Sequence, residues 1–217
     1  MIRVKICGIT TVGDALAAAE LGASAIGVVF WPASPRCVDV ATARSIVQAL
    51  PPFVAAVGVF VNQEDARLIA ERAGVHVMQL HGDEPARSYR DCSLPVIKAV
   101  AVRDQAAIDI AESVPPGAAV LLDAHDPGKR GGTGQRIDWT IAAEIASRRS
   151  VILSGGLNPA NVADAIAVVR PAAIDVSSGV ESAPGRKDHA KLRELFAAVE
   201  HSPSGKHHST FGIQHLP

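Results

Sequence analysis

Short β-branched runs alternate with Ala-rich stretches along the whole chain, and a turn marks each change. The runs near Val4–Ile9, Ala25–Phe30, Ala55–Phe60, Val75–Leu80, Val96–Val102, Ala119–Asp123, Val151–Ser154 and Ala173–Ser177 predict strands, since Val and Ile favour an extended backbone. Between them, stretches rich in Ala, Glu, Arg and Leu predict helices near Gly13–Leu21, Ala41–Leu50, Glu64–Ala73, Pro85–Arg90, Gln105–Ser113, Trp139–Ser147, Pro159–Val168 and Asp188–Val199. Asn158 before Pro159 reads as an N-cap followed by a proline at the first helical position. The stretch Pro85–Arg90, with Ser88 and Tyr89, carries the weakest helical pattern.

Strands that alternate with helices imply a parallel sheet with right-handed crossovers. A doubly wound open sheet needs edge strands, which are usually short or charged. Here the first and last strands are as apolar as the middle ones, apart from Lys5 and Asp175. Eight units without an edge-like member predict an α/β fold, a single parallel (β/α)8 TIM barrel. The barrel is expected to span residues 1–200. Residues 201–217 lose the periodicity and predict a flexible, solvated tail. Four of the eight histidines fall in this tail, without the fixed geometry a metal site needs.

Composition narrows the picture. The chain is 48% hydrophobic but only 4% aromatic, so the core must be aliphatic, as suits strands buried on both faces. A net charge of −1 argues against bulk attraction to nucleic acid or to an anionic membrane, so any anion site is local. The N-terminus runs straight into a strand without an apolar leader, and no apolar run reaches the roughly 18 residues that span a bilayer. Cys7, Cys37 and Cys92 are an odd number without CxxC spacing, which makes a disulfide framework or zinc site improbable and a cytoplasmic setting the expectation.

In such a barrel the loops after the strands build the active site. The turns Ser154-Gly155-Gly156 and Ser177-Ser178-Gly179 suit a phosphate approached by backbone N–H groups; tight turns are the plainer reading. Cys7 has three readings: a small buried hydrophobe, a nucleophile served by His81 or His125, or a proton acceptor. For the last, a modest fall from a reference pKa of about 8.5 suffices. Asp123 is either a structural carboxylate paired with Lys98 or Arg36, or a general acid, which at neutral pH costs roughly 4 kcal/mol unless the site raises its pKa. The loop Gly128–Gly134 suits a flap over an anion or a plain linker, and it lacks Walker A spacing. Arg36 is a candidate for a substrate carboxylate, or else an ordinary surface arginine.

Taken in order, several motifs resemble the phosphoribosylanthranilate isomerase family. They are Val4-Lys5-Ile6-Cys7-Gly8-Ile9-Thr10, Ser34-Pro35-Arg36, Gln79-Leu80-His81-Gly82, Leu121-Leu122-Asp123, Gly131-Gly132-Thr133-Gly134, Leu153-Ser154-Gly155-Gly156-Leu157-Asn158-Pro159 and Asp175-Val176-Ser177-Ser178-Gly179-Val180-Glu181. The resemblance covers residues 3 to 199. It implies an Amadori rearrangement in tryptophan biosynthesis, with Cys7 as general base and Asp123 as general acid. It further implies Arg36 on the anthranilate carboxylate and the Ser154–Gly156 and Ser178–Gly179 turns on the phosphate, with His81, Asp175 and Ser177 bordering the substrate. No cofactor and no metal are implied, the partner is a small molecule, and the family includes monomers and homodimers. Asp126 is a competing acid, and His125 is placed to tune either carboxylate. A related barrel such as indole-glycerol-phosphate synthase or the histidine-pathway sugar isomerase leaves the Cys7 motif unexplained. A non-catalytic phosphate-binding barrel has no need of both Cys7 and Asp123.

Overall fold

The computed structural model describes residues 2–85, 92–124 and 137–202. Eight strands, β1 (Arg3–Cys7), β2 (Ala25–Val29), β3 (Ala55–Phe60), β4 (Val77–Leu80), β5 (Val96–Ala101), β6 (Ala118–Asp123), β7 (Val151–Leu153) and β8 (Ala173–Val176), form a closed parallel barrel in chain order. The ring closes where β1 pairs with β8, Lys5 lying against Asp175. Outside it run α1 (Val12–Glu20), α2 (Val40–Ala49), α3 (Ala66–Ala73), α4 (Ala106–Ser113), α5 (Trp139–Arg148), α6 (Val162–Val169) and α7 (His189–Glu200). A two-stranded antiparallel ribbon, β9 (Glu181–Ala183) and β10 (Arg186–Lys187), sits between β8 and α7. Among the described residues, no helix is long and apolar enough to cross a membrane.

Alternation along each strand divides the side chains between two cores. On β6, Ala119 and Leu121 turn inward and pack with Val57, Ile97 and Ile152 inside the barrel. Val120 and Leu122 turn outward and join Ile6, Ile26, Phe60 and the α7 residues Leu192 and Leu195 in the shell under the helices. Side-chain caps fix several helix starts: Asp39 accepts from the Thr42 amide at 2.7 Å, Asp138 from Thr140 at 2.8 Å and Asp188 from Ala190 at 2.9 Å. Each such cap is worth about 1 kcal/mol.

Three predicted boundaries shift for local reasons. β1 stops at Cys7 rather than Ile9, because Gly8 adopts a positive φ of 74°. α6 starts at Val162 rather than Pro159. Asn158 does cap, but it caps a turn: its Oδ1 accepts from the Ala160 amide at 2.9 Å, while its own amide donates to Asn161 Oδ1 at 2.9 Å. At the C-terminal end, His201 and Ser202 close α7 instead of opening a tail, with the Ser202 hydroxyl donating to the Val199 carbonyl at 2.7 Å. Apart from Pro85, the expected helix Pro85–Arg90 lies outside the described residues, as do His125, Asp126, the Gly128–Gly134 loop and the chain beyond Ser202.

Candidate active site

Cys7, Asp123 and His81 are carried to one place by strand parity. Lys5 and Cys7 alternate with the outward Val4 and Ile6; Asp123 continues the inward series of Ala119 and Leu121. Cys7 ends β1 and Asp123 ends β6, with β7 and β8 between them on the ring. Both are buried at the C-terminal mouth, Cys7 at 8% exposure and Asp123 at 6%. Cys7 packs with Val29, Val59 and Trp31. Room for its sulfur comes from Gly27, its partner in the β1–β2 register, where a Cβ would lie 2.8 Å from Sγ.

The charged neighbours of Cys7 lie on its own face and on the ribbon. Lys5, buried one inward position below, donates to Asp175 Oδ1 at 2.9 Å. Burial alone would lower the Lys5 pKa, but Asp175 and then the Cys7 sulfur outweigh it and hold the ammonium at about 12. Lys187 of β10 donates to the Cys7 carbonyl at 2.6 Å and to Glu181 Oε1 at 2.8 Å. Desolvation pushes the Cys7 thiol above its ordinary value, assisted by Asp175 and opposed by Lys5 and Lys187. The proton-acceptor reading called for a modest fall in this pKa, and burial of the thiol works against it.

Arg36 is not a surface arginine: it is 8% exposed. Its Nε and Nη2 donate to the two oxygens of Glu181 at 2.9 and 2.6 Å, a two-pronged pairing of fork and carboxylate. Burial would raise the Glu181 pKa, yet the Arg36 hydrogen bond and the Lys187 charge bring it below its ordinary value. Gly8 lets this arginine pass, since a Cβ there would collide with Arg36 Cδ. One buried carboxylate thus ties Arg36, after β2, to Lys187, which also holds the Cys7 carbonyl.

On the far side of the mouth, Asp123 pairs with neither Lys98 nor Arg36. Lys98 sits between the inward Ile97 and Ala99, points outward, and donates to Glu84 at 2.9 Å and to the Gly82 carbonyl. The partner of Asp123 is His81, whose Nε2 lies 3.1 Å from Oδ2. The other ring nitrogen, Nδ1, lies 2.9 Å from the amide nitrogen of Gln79. His81 and Asp123 line one cavity with Gly82, Lys98, Arg103 and Asp104.

The two glycine turns meet. Gly155 and Gly156 have φ of 87° and 66°, the left-handed region that glycine enters without strain. The Gly156 carbonyl accepts from the Asn161 amide at 2.9 Å. Ser178 and Gly179 belong to a single 3-10 turn after β8, and a Cβ on Gly179 would overlap the Leu157 carbonyl. Close contact of the β7 and β8 turns therefore requires glycine at this position. Asp175 lies one inward position below Ser177 on the same strand, against Lys5.

Sequence reasoning assigned no role to Glu181, Lys187, Gln79 or Lys5. Period-two alternation from Cys7 points to Lys5 and, from His81, to Gln79; no periodic signal marks Lys187, which lies in the ribbon beyond the last barrel strand. Among the described residues, no group of His, Cys, Asp and Glu is arranged to hold a metal ion. The arrangement offers a buried thiol, a buried carboxylate beside a histidine, a paired arginine and two glycine turns in close contact.

Comparison with known proteins shows the family. Residues 4–198 match the family model described as N-(5'phosphoribosyl)anthranilate (PRA) isomerase. The chain is 50% identical over 201 residues to the N-(5'-phosphoribosyl)anthranilate isomerase of Pseudomonas fluorescens, covering 91% of this chain and 98% of that protein. It is similar to a crystal structure of monomers generated from the dimeric isomerase of Thermotoga maritima, with a TM-score of 0.83, 40% identity, and coverage of 92% and 99% of the two chains. A further isomerase structure, in complex with reduced 1-(o-carboxyphenylamino)-1-deoxyribulose 5-phosphate, matches with a TM-score of 0.82, 42% identity and the same coverage, 92% and 99%.

Proposed function

The chain belongs to the N-(5'-phosphoribosyl)anthranilate isomerase family, and from that premise we propose how its residues divide the work. The activity is the Amadori rearrangement of N-(5-phosphoribosyl)anthranilate to 1-(2-carboxyphenylamino)-1-deoxyribulose 5-phosphate, a step of tryptophan biosynthesis. Asp123 gives a proton to the furanose ring oxygen, and the ring opens to a Schiff base cation. That cation acidifies the C2 proton, which Cys7 removes to give an enolamine. Protonation at C1 with loss of the C2 hydroxyl proton completes the aminoketose, so protons move while no electrons leave the substrate.

Arg36 receives the anthranilate carboxylate. Its Nε and Nη2 are engaged by Glu181, and the Nη1 edge of the fork is the part that meets the substrate. The Ser154–Gly156 and Ser178–Gly179 turns hold the phosphate, with Ser177 at their rim and Asp175 acting from beneath through Lys5. His81 borders the substrate beside Asp123. The observation that carries this reading is placement: the two proton-handling groups close β1 and β6, face the mouth, and are 8% and 6% exposed.

We further place the enzyme in the cytoplasm, on three free cysteines among the described residues. We assign it a homodimeric state, supported by the dimeric Thermotoga maritima relative. A second support is Phe53, 98% exposed beside the open apolar cavity at the N-terminal end of the barrel.

The test follows loss of substrate fluorescence on conversion. Cys7→Ser and Asp123→Asn each lower kcat at least roughly a hundredfold, the lower range for acid–base groups, with KM largely kept. Asp126→Asn stays near the parent rate. A crippled Asp126→Asn beside an active Asp123→Asn would move the acid role off β6.

A further inference from the structure

Gln79 is an unusual tenant of an aliphatic barrel. It is 1% exposed, and its carbonyl oxygen Oε1 has no hydrogen-bond partner among the described residues. An unpartnered buried acceptor costs about 1–3 kcal/mol, which an apolar side chain would avoid. What the amide does make is one bond: its nitrogen lies 2.9 Å from Nδ1 of His81, two residues on along the same inward face of β4. His81 in turn places Nε2 at 3.1 Å from Asp123 Oδ2.

We propose that Gln79 and His81 are positioning residues that keep the transferable proton of Asp123 on Oδ1, the oxygen free to meet the substrate. This rests on the reading of Asp123 as the general acid. A neutral imidazole carries one N–H. By donating to Nδ1, the Gln79 amide leaves the ring hydrogen on Nε2, where it is donated to Asp123 Oδ2. A protonated carboxyl has one hydroxyl oxygen and one carbonyl oxygen; with Oδ2 accepting from His81, the hydroxyl is Oδ1. The opposite tautomer would set a lone pair against Oδ2 and draw the proton there, toward His81 and away from the ring oxygen.

The same bond helps the proton leave. Once Oδ1 has protonated the substrate, Asp123 is a carboxylate, and the His81 bond to Oδ2 becomes a charge-assisted one. An interaction that strengthens as charge develops lowers the barrier rather than tightening the ground state. Gln79 adds no charge to this site. The charged groups that line the His81–Asp123 cavity are Asp83, Glu84, Lys98, Arg103 and Asp104, with Glu84 and Lys98 paired at 2.9 Å.

Three measurements on the intact chain test this. Gln79→Met is expected to lower kcat roughly 10- to 100-fold, short of the full range of roughly 10²–10⁴ for an acid itself, with KM within about twofold. Gln79→Glu turns the donor into an acceptor. His81 then holds a second proton between two carboxylates, Asp123 gives up its own more readily, and the alkaline limb of the kcat profile moves to lower pH. Nitrogen NMR of the parent protein's histidine rings needs no variant, and at neutral pH it is expected to find His81 protonated on Nε2. Parent-like kcat and pH profile in both variants, or a ring protonated on Nδ1, would overturn the proposal. Should either variant fail to fold, the NMR result decides alone. An Asp123→Asn protein with parent kcat would instead remove the acid reading, while the tautomer still answers whether Gln79 orients His81.

Discussion

The Lys5–Asp175 pair inside the barrel links stability to the behaviour of Cys7, and Asp175→Asn separates the two. The pair is 2.9 Å apart with side chains 5% and 6% exposed, so neither charge has water to fall back on. Removing one member of such a pair leaves the other uncompensated, at a cost of about 3–5 kcal/mol. For a chain of this size that lowers the thermal midpoint by roughly 6–20 °C, at about 2–4 °C per kcal/mol. The pH dependence has a definite sign. The Lys5 pKa is raised from 10.5 to about 12 in the folded protein, so the stabilisation is complete below 10.5 and lost as pH rises through 12. The parent therefore loses stability across that window, and the Asp175→Asn protein does so less.

Asp175 also holds the Cys7 thiol up, while Lys5 draws it down. In Asp175→Asn the repulsion vanishes and the Lys5 attraction remains, so the protein becomes less stable as its thiol becomes more acidic. Urea unfolding measures the first effect, and the pH dependence of Cys7 alkylation the second. A Lys5→Met, Asp175→Leu double variant removes both charges, and it is expected to regain most of the lost stability. An Asp175→Asn protein as stable as the parent, or one whose thiol titrates higher, would refute the reasoning.

Two further expectations follow from the site. Glu181 has a folded pKa below its ordinary 4.5, so its contribution is present above 4.5 and lost as pH falls through the lower folded value; urea unfolding across the acid range should give a flatter curve for Glu181→Gln, and its KM should rise as Arg36 loses its anchor. Light scattering of the intact protein at micromolar concentration should report twice the 22.5 kDa chain mass, and a single-chain mass at all concentrations would withdraw the homodimer.

The barrel was legible because its signal is local and repeated. Each inward residue of β6 and each Ala-rich helix face restates the same alternation, and eight restatements without an edge-like member leave closure as the economical solution. Ends were legible only where the side chain decided them. At Gly8 a backbone angle decided instead, and at Asn158–Asn161 two side-chain hydrogen bonds favoured a turn over a helix start. The placement of Cys7 and Asp123 could be read because both close inward-facing runs. Their partners could not, because His81 and Asp123 are 42 residues apart, and Lys187 and Cys7 are 180 apart. Pairings at that range leave no periodic trace.

The direction of the Cys7 shift shows what such partners change. Residue type supplies a reference pKa; burial among Val29, Val59 and Trp31 supplies the desolvation that carries the thiol upward. For the base proposed above, a raised pKa looks poorly suited to the task until the order of the proposed steps is considered. In the proposed order Asp123 acts first, and ring opening creates a Schiff base cation at C1, next to the carbon whose proton Cys7 would remove. A unit charge at about 5 Å in a medium of effective dielectric about 20 is worth roughly 3 kcal/mol, or about two pKa units, in favour of a thiolate. Lys5 and Lys187 already pull in the same direction. The sulfur thus holds its proton while no substrate cation lies beside it, and it becomes ionised when the substrate's own charge arrives. On the proposed roles, acid and base would operate in sequence, with the thiolate confined to the interval in which C2 is acidic.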